Sequence, residues 1–370
     1  MQKMRNRHKI IIFLLLIIHY NSISQIFSDS ILIKRIEKEV YNIYNFNFEP
    51  AEILYKELKK QYPNHPVSHL YCSLLIYWKY FPIISGNSIQ DSLDNNMIKT
   101  IEKAQIILDK NESNSEAIFF DLSARLLLIM HYADNDHPSK VISYLPKTYN
   151  LAMKGQELTN EIIDFSFSTG LYNYYREAYP KAYPVYKPIT YFFPKGNMEM
   201  GIKQLEFTGR EGVFMAAEAL SFLFYIYTNF EKNYIAGHNA AIKLNRKFPD
   251  NPLYYSYRIR TTLLNKEYIE AIPMIMKLKK MSHTNDFFKM MAYIYEGYVE
   301  EKLKMNYNKA EAFYKYAIEL GMKYDNFVDD RLSYAYFGLA RVYEHKDSKL
   351  AKKYKKLAEE NTAYRHLFAD

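Results

Sequence analysis

Apolar positions along this chain recur with the period of an α-helix. In residues 308–320, NKAEAFYKYAIEL, Ala310, Tyr314, Ala317 and Leu320 stand at i, i+4, i+7 and i+10, one stripe of a helix. The alanines leave room for a neighbouring helix to come close, and the tyrosine fills the gap between them. A second kind of helix carries a broader seam at i, i+3, i+4 and i+7, seen at Leu220, Leu223, Phe224 and Tyr227 and again at Tyr336, Leu339, Ala340 and Tyr343. Helix breakers separate such pairs: Pro63 with Pro66, Pro249 with Pro252, and an Asn-rich turn near Asn306. Alternating runs bounded by turns do not recur, so strands are not expected. The prediction is an all-α chain, a curved stack of helical hairpins.

Helices of the first kind recur at Gly201, Ala236, Ala271, Ala310 and Ala351, with spacings of 35, 35, 39 and 41 residues, and Ala51 and Ala104 fit the same type upstream. The order small residue, three spacers, aromatic, two spacers, alanine resembles the second helix of a tetratricopeptide repeat. The resemblance is good over 197–360 and weaker over 48–154. It implies an α-α superhelix, a TPR-like solenoid of irregular hairpins forming one domain over 25–370. The succession of GLYNYY, FFPKG, a glycine-bearing helix and AAEALSFLFYIY is similar to that in a group of exported repeat proteins of Bacteroidetes-type bacteria. That likeness implies a compartment and a fold, and no particular reaction.

Residues 170–196, GLYNYYREAYPKAYPVYKPITYFFPKG, break the pattern. Pro180, Pro184, Pro188 and Pro194 predict the end of regular helix near Ala178 and an extended excursion beyond it. On the preceding helix Tyr172, Tyr175 and Tyr179 fall at i, i+3 and i+7, one packed stripe. The excursion has two readings. It fills the groove or covers a seam, using tyrosine as an apolar body with a polar tip, or Tyr183, Tyr186 and Tyr191 form a stacking platform for a peptide or a sugar ring.

The chain opens with Lys3, Arg5, Arg7 and Lys9, an apolar run from Ile10 to Ile18, and Ser22 and Ser24 in small-x-small spacing. This predicts a secretory signal over 1–24. The run is about half the roughly 20 residues that a membrane-spanning helix needs. Export to the periplasm or to the outer membrane's inner side is therefore expected, with no transmembrane segment left after signal removal. The formal charge of +8 falls to +4 without the four basic leader residues, too mild a balance to imply nucleic acid. The single cysteine, Cys72, cannot form an internal disulfide.

The motifs HExxH, CxxC, GxGxxG, GxxxxGK[ST] and GxSxG do not occur, and no cofactor or metal is expected. His65 and His69 have the i, i+4 spacing of zinc ligands but lack a third ligand nearby. Asp134 and Asp136 resemble the start of a calcium loop without its glycine or terminal glutamate, and a helix-capping turn accounts for them better. Glu218 is the exception, a carboxylate inside FMAAEALSFLFYIY. A charge in such surroundings must be paired or hydrogen-bonded. In the repeat register Glu218, Ser221 and Tyr225 fall on the stripe that lines the concave groove of tetratricopeptide proteins, and Arg260 shares that groove in preference to Arg258. The leading expectation is a non-enzymatic exported scaffold holding a peptide segment or a protein partner in its groove. Glycan capture by tyrosine stacking is the alternative.

Overall fold

The computed structural model describes residues 26–282 and 284–370; the leader predicted over 1–24 lies outside the described residues. Within them the chain forms sixteen α-helices of ten residues or more and no strand. The first four hairpins pair α1 (Ser30–Tyr44) with α2 (Phe48–Gln61), α3 (Pro66–Lys79) with α4 (Ser88–Leu108), α5 (Ser115–Asp134) with α6 (Pro138–Glu157), and α7 (Phe165–Ala182) with α8 (Met198–Glu211). The remaining four pair α9 (Ala216–Tyr225) with α10 (Tyr234–Lys247), α11 (Pro252–Leu264) with α12 (Tyr268–Met281), α13 (Asp286–Lys302) with α14 (Tyr307–Gly321), and α15 (Asp329–Tyr343) with α16 (Ser348–Glu360). Asparagines start many of them: Asn114, Asn197, Asn233, Asn251 and Asn306 each accept hydrogen bonds from backbone N–H groups of the first turn.

Each helix packs on the next in sequence, and α1 also meets α3, α3 meets α5, α11 meets α13, and α13 meets α15. Odd-numbered helices therefore form the inner layer of an α-α superhelix and even-numbered ones the outer layer, the expected arrangement. The small residues predicted for second helices all fall on the outer layer. Ala51, Ala104, Ala271 and Ala310 are completely buried. The α10 stripe is shifted by one: Gly237 is buried and Ala236 only partly so, because a methyl group on Gly237 would come to 2.6 Å from the Thr228 Cγ2 on the facing turn.

Tyr314 shows how closely the layers fit. Its buried ring lies between Gly297 of α13 and Gly338 of α15: a Cβ on Gly297 would reach it at 2.8 Å, and one on Gly338 would overlap it. Its hydroxyl donates to Glu301 Oε2 at 2.8 Å, and Arg341 Nε donates to Oε1 of the same carboxylate at 2.6 Å.

The superhelix also closes on itself. Tyr44 meets Phe248 with ring centroids 4.9 Å apart, Trp78 meets Tyr254 at 5.5 Å, and Phe81 meets Phe287 at 5.3 Å and Phe288 at 5.8 Å. Asn251 Nδ2 donates to Tyr44 O at 2.8 Å and Asn285 Nδ2 to Phe81 O at 2.7 Å. The first hairpins thus rest on the far half of the chain, and the expected open groove becomes a partly enclosed hollow. Among the described residues no helix is long and apolar enough to cross a membrane.

The Tyr/Pro segment departs from its prediction at the start. Helix α7 runs through Pro180 to Ala182, since a proline near a helix end removes one hydrogen bond but leaves the last turn, closed here by Tyr183 N donating to Tyr179 O at 2.8 Å. A 3₁₀ turn at Pro184–Tyr186 and a four-residue helix at Lys187–Thr190 follow.

Gly338→Ala should destabilise the protein by about 1–3 kcal/mol, because the added methyl overpacks a ring pinned at both ends. Urea unfolding measures it, and an unchanged midpoint would mean that Tyr314 is free to move aside.

Candidate functional site

Between α5 and α11 the contacts among inner helices thin out, and a cavity of about 430 Å³ occupies the space. That volume lies in the range of about 300–1,000 Å³ usual for ligand pockets. The inner helices α3, α5, α7, α9, α11 and α15 all contribute to its wall, with α6 and the Tyr/Pro segment along one side and Tyr364 of the C-terminal segment at another. Aromatic residues are the largest group in the wall. Tyr175, Tyr179 and Phe222 face it from α7 and α9, and Trp78, Tyr254 and Tyr257 from α3 and α11.

Charges of both signs are set among these rings. Arg331 of α15 donates to Tyr225 Oη at 3.3 Å and to Phe327 O at 3.0 Å, and its guanidinium lies over the Phe327 ring. Burial opposes its charge, yet the fields of Tyr225, Asp134, Tyr257 and Asp330 outweigh that and raise its pKa. Tyr225 and Tyr257 share a hydrogen bond of 2.9 Å. Arg260 donates to Asn229 Oδ1 at 2.5 Å and Thr228 Oγ1 at 3.3 Å, and lies over Phe224 and Tyr334. Asn229 and Thr228 belong to the wide π turn at Ile226–Phe230 that ends α9, a distortion often found at functional sites.

The carboxylates are less well matched. Asp134 opens onto the cavity from the C-terminal end of α5, where its side chain keeps contact with solvent. Asp330 is raised by burial and drawn partly back by a hydrogen bond with Thr362. Glu218, in the first turn of α9, accepts from the Tyr44 hydroxyl through Oε1, while Oε2 has no partner within the protein. Loss of solvation pushes its carboxyl up to about 7, with its own backbone N–H and Lys247 only partly opposing. Among the described residues none of the three forms an ion pair within 4.0 Å. Three donors without acceptors, Trp78 Nε1, Arg176 Nε and Arg260 Nε, lie just beneath the same wall.

A second, apolar chamber of about 120 Å³ adjoins the first. Ile36, Leu70, Phe119, Phe120 and Phe167 line it, and Leu74, Leu126, Met130, Phe222 and Glu218 line both spaces. Glu218 therefore sits where an apolar recess meets the aromatic cavity.

No protein-family model matches this chain, and no curated protein is significantly similar to it. Residue chemistry and geometry alone carry the functional argument.

Of the residues singled out in the sequence, Glu218, Ser221, Tyr225, Arg260, Tyr183 and Tyr186 all line the cavity. Tyr191 does not: it stands 91% exposed past the four-residue helix, which turns it outward. Tyr172, Tyr175 and Tyr179 line the cavity as one stripe. The segment beyond them forms a lip and leaves the hollow open. Tyr172 Oη donates to Pro194 O at 2.5 Å, Arg176 donates to Thr190 O at 2.8 Å, and Gly196 N donates to Glu177 Oε1 at 3.1 Å. The two imidazoles of the His65 and His69 pair diverge, His65 to Glu116 at 2.8 Å and His69 to Asn96 at 3.2 Å.

Sequence reasoning missed Trp78, Asp134, Asp330, Arg331 and Tyr364. For α15 a signal existed. The offset that carries the seam at Leu220 to the groove residue Glu218 carries the seam at Tyr336 to Tyr334, and one turn earlier to Asp330 and Arg331.

The Glu218 carboxyl sets a pH dependence. It releases its proton near 4.5 in the unfolded chain and near 7 in the fold. Between those values the unfolded state binds fewer protons, so stability falls as pH rises, by at most about 1.4 kcal/mol per pH unit, and levels above. Glu218→Gln should gain on the wild type from pH 5 to 7 and hold that gain at pH 8 in urea titrations. Parallel curves would show that Glu218 is solvated like a surface acid.

Proposed function

We propose that this chain is an exported, non-enzymatic binding protein that holds a short peptide segment in the hollow of a TPR-like superhelix. The observation that carries the reading is the wall itself: aromatic rings for side-chain contact, with an unpaired acceptor at Glu218 and unpaired donors at Trp78 and Arg260 beside it. A peptide offers apolar groups, N–H donors and carbonyl acceptors in close alternation, which is what such a wall can satisfy. Its partial enclosure suits a short segment better than the face of a folded partner. Among the described residues no histidine or cysteine lines the cavity, which favours binding over thiol- or imidazole-based chemistry. Export is proposed from the leader pattern over residues 1–24.

Glycan capture has less support. Stacking on a sugar needs an open ring face, yet Tyr183 lies 4.6 Å from Tyr179 and Tyr186 lies 5.2 Å from Tyr179, while Tyr191 stands apart.

Trp78 is the only tryptophan in the chain and lines the cavity, so its emission reports occupancy. A pool of random tryptophan-free hexapeptides should shift or quench that emission saturably, and maltooligosaccharides should not. The reverse pattern would replace the peptide reading with the glycan one.

A further inference from the structure

The cavity and the apolar chamber meet at a single carboxylate, and this juxtaposition limits what can bind. The chamber, at about 120 Å³, is close to the roughly 150 Å³ apolar cavity known to take one benzene ring. It holds one ring or one branched aliphatic group and is too small for a long acyl chain. Its lining is almost wholly hydrocarbon, with Ser123, the Tyr44 and Tyr71 side chains and Glu218 the only polar members.

Glu218 has a donor on one oxygen and none on the other. Lys247 is the cation whose field reaches it, and the two form no ion pair. A carboxylate rotates readily about its last torsion, so the unpaired oxygen can turn to a ligand. A cation there gains twice, from the carboxylate and from the surrounding ring faces.

We propose that the cavity recognises the free N-terminus of a peptide whose first residue is apolar, with the α-ammonium on Glu218 and the first side chain in the chamber. This rests on the peptide reading above and deepens it. Glu218 is the one charged residue that lines both spaces, so the cation and the apolar group must leave the ligand from nearly the same point. An N-terminal residue has that geometry, its amine and side chain sharing one carbon. A lysine side chain does not, since its ammonium ends a chain with nothing apolar beyond it. A partly closed hollow also receives a chain end more easily than a chain passing through. Beyond the first residue, the unpaired donors of Trp78 and Arg260 suit the carbonyl oxygens that follow.

The test uses the full chain, immobilised, and synthetic hexapeptide amides. The first residue is fixed as Leu, Phe, Gly or Asp, the other five are randomised, and each pool is made with a free or an acetylated amine. Mass spectrometry reads the retained peptides. Free-amine Leu and Phe pools should be retained about tenfold better than their acetylated forms, the order expected for one charged hydrogen bond, and better than Gly or Asp pools. Equal retention of free and acetylated pools would overturn the N-terminus inference and leave the peptide reading standing. Failure to retain any pool would overturn both. Phenylalanine amide should compete weakly; competition equal to that of the peptides would assign the site to a free amine and overturn the inference. Glu218→Gln should abolish the preference for a free amine. Ser123→Leu, which fills the chamber, should shift the first-residue preference towards Gly while keeping the amine dependence. The pools on the unaltered chain decide the matter if either variant fails to fold.

Discussion

The contact between the first hairpins and the far half of the chain is the constraint on which the rest of the structure depends. A solenoid of hairpins has no intrinsic reason to enclose anything, because each pair needs only its neighbours. Here Tyr44, Trp78 and Phe81 reach across to Phe248, Tyr254, Phe287 and Phe288, and two asparagine side chains hold backbone carbonyls on the opposite side. Aromatic contacts of this kind add to area burial through edge-to-face geometry. They close one side of the superhelix, and every property of the cavity follows from that closure. Glu218 shows the dependence most directly, since its one hydrogen-bond donor, Tyr44, comes from the first helix.

Tyrosine makes an enclosed wall of this type possible. A hollow lined by phenylalanine alone would be dry and chemically uniform, and one lined by short polar residues would be poorly packed. Tyrosine gives the large apolar body and keeps an oxygen at the tip. Tyr225 and Tyr257 use those oxygens on each other, and Tyr225 also accepts from Arg331, which gives a guanidinium set among rings a polar partner. The same enclosure works against the carboxylates. Removing water from around Glu218 raises its carboxyl pKa, because among the described residues no cation comes close enough to compensate.

The local part of this architecture was legible in the sequence, and the long-range part was not. Helix type, hairpin order and the outer-layer small residues followed from periodicity, as Ala51, Ala104, Ala271 and Ala310 show. The groove stripe through Glu218, Ser221 and Tyr225 followed from register, because the seam beside it fixes the rotation of α9. Three readings failed for identifiable reasons. Pro180 was read as a stop, but a proline near the end of a helix costs one hydrogen bond and leaves the last turn intact. Tyr191 was grouped with Tyr183 and Tyr186 by proximity in sequence, and a four-residue helix rotated it outward. Asp134 was read as part of a polar turn, and only the approach of α15, some two hundred residues away in sequence, brings Arg331 near it. No local pattern records that closure, which depends on the summed twist of eight hairpins.

The unpaired atoms on the wall argue for recognition over scaffolding alone. A buried polar group without a partner costs about 1–3 kcal/mol, and Glu218 Oε2, Trp78 Nε1, Arg176 Nε and Arg260 Nε are four such groups on residues lining one cavity. A wall serving only to hold helices apart would be more stable with apolar side chains of the same shape, since a half-satisfied polar network is worse than none. Arg331, which lines the same cavity, shows that the fold can satisfy polar atoms there, since it donates to two acceptors. Glu218 Oε2 is left unpaired where the two spaces meet, and a ligand that supplies its missing partner recovers that cost.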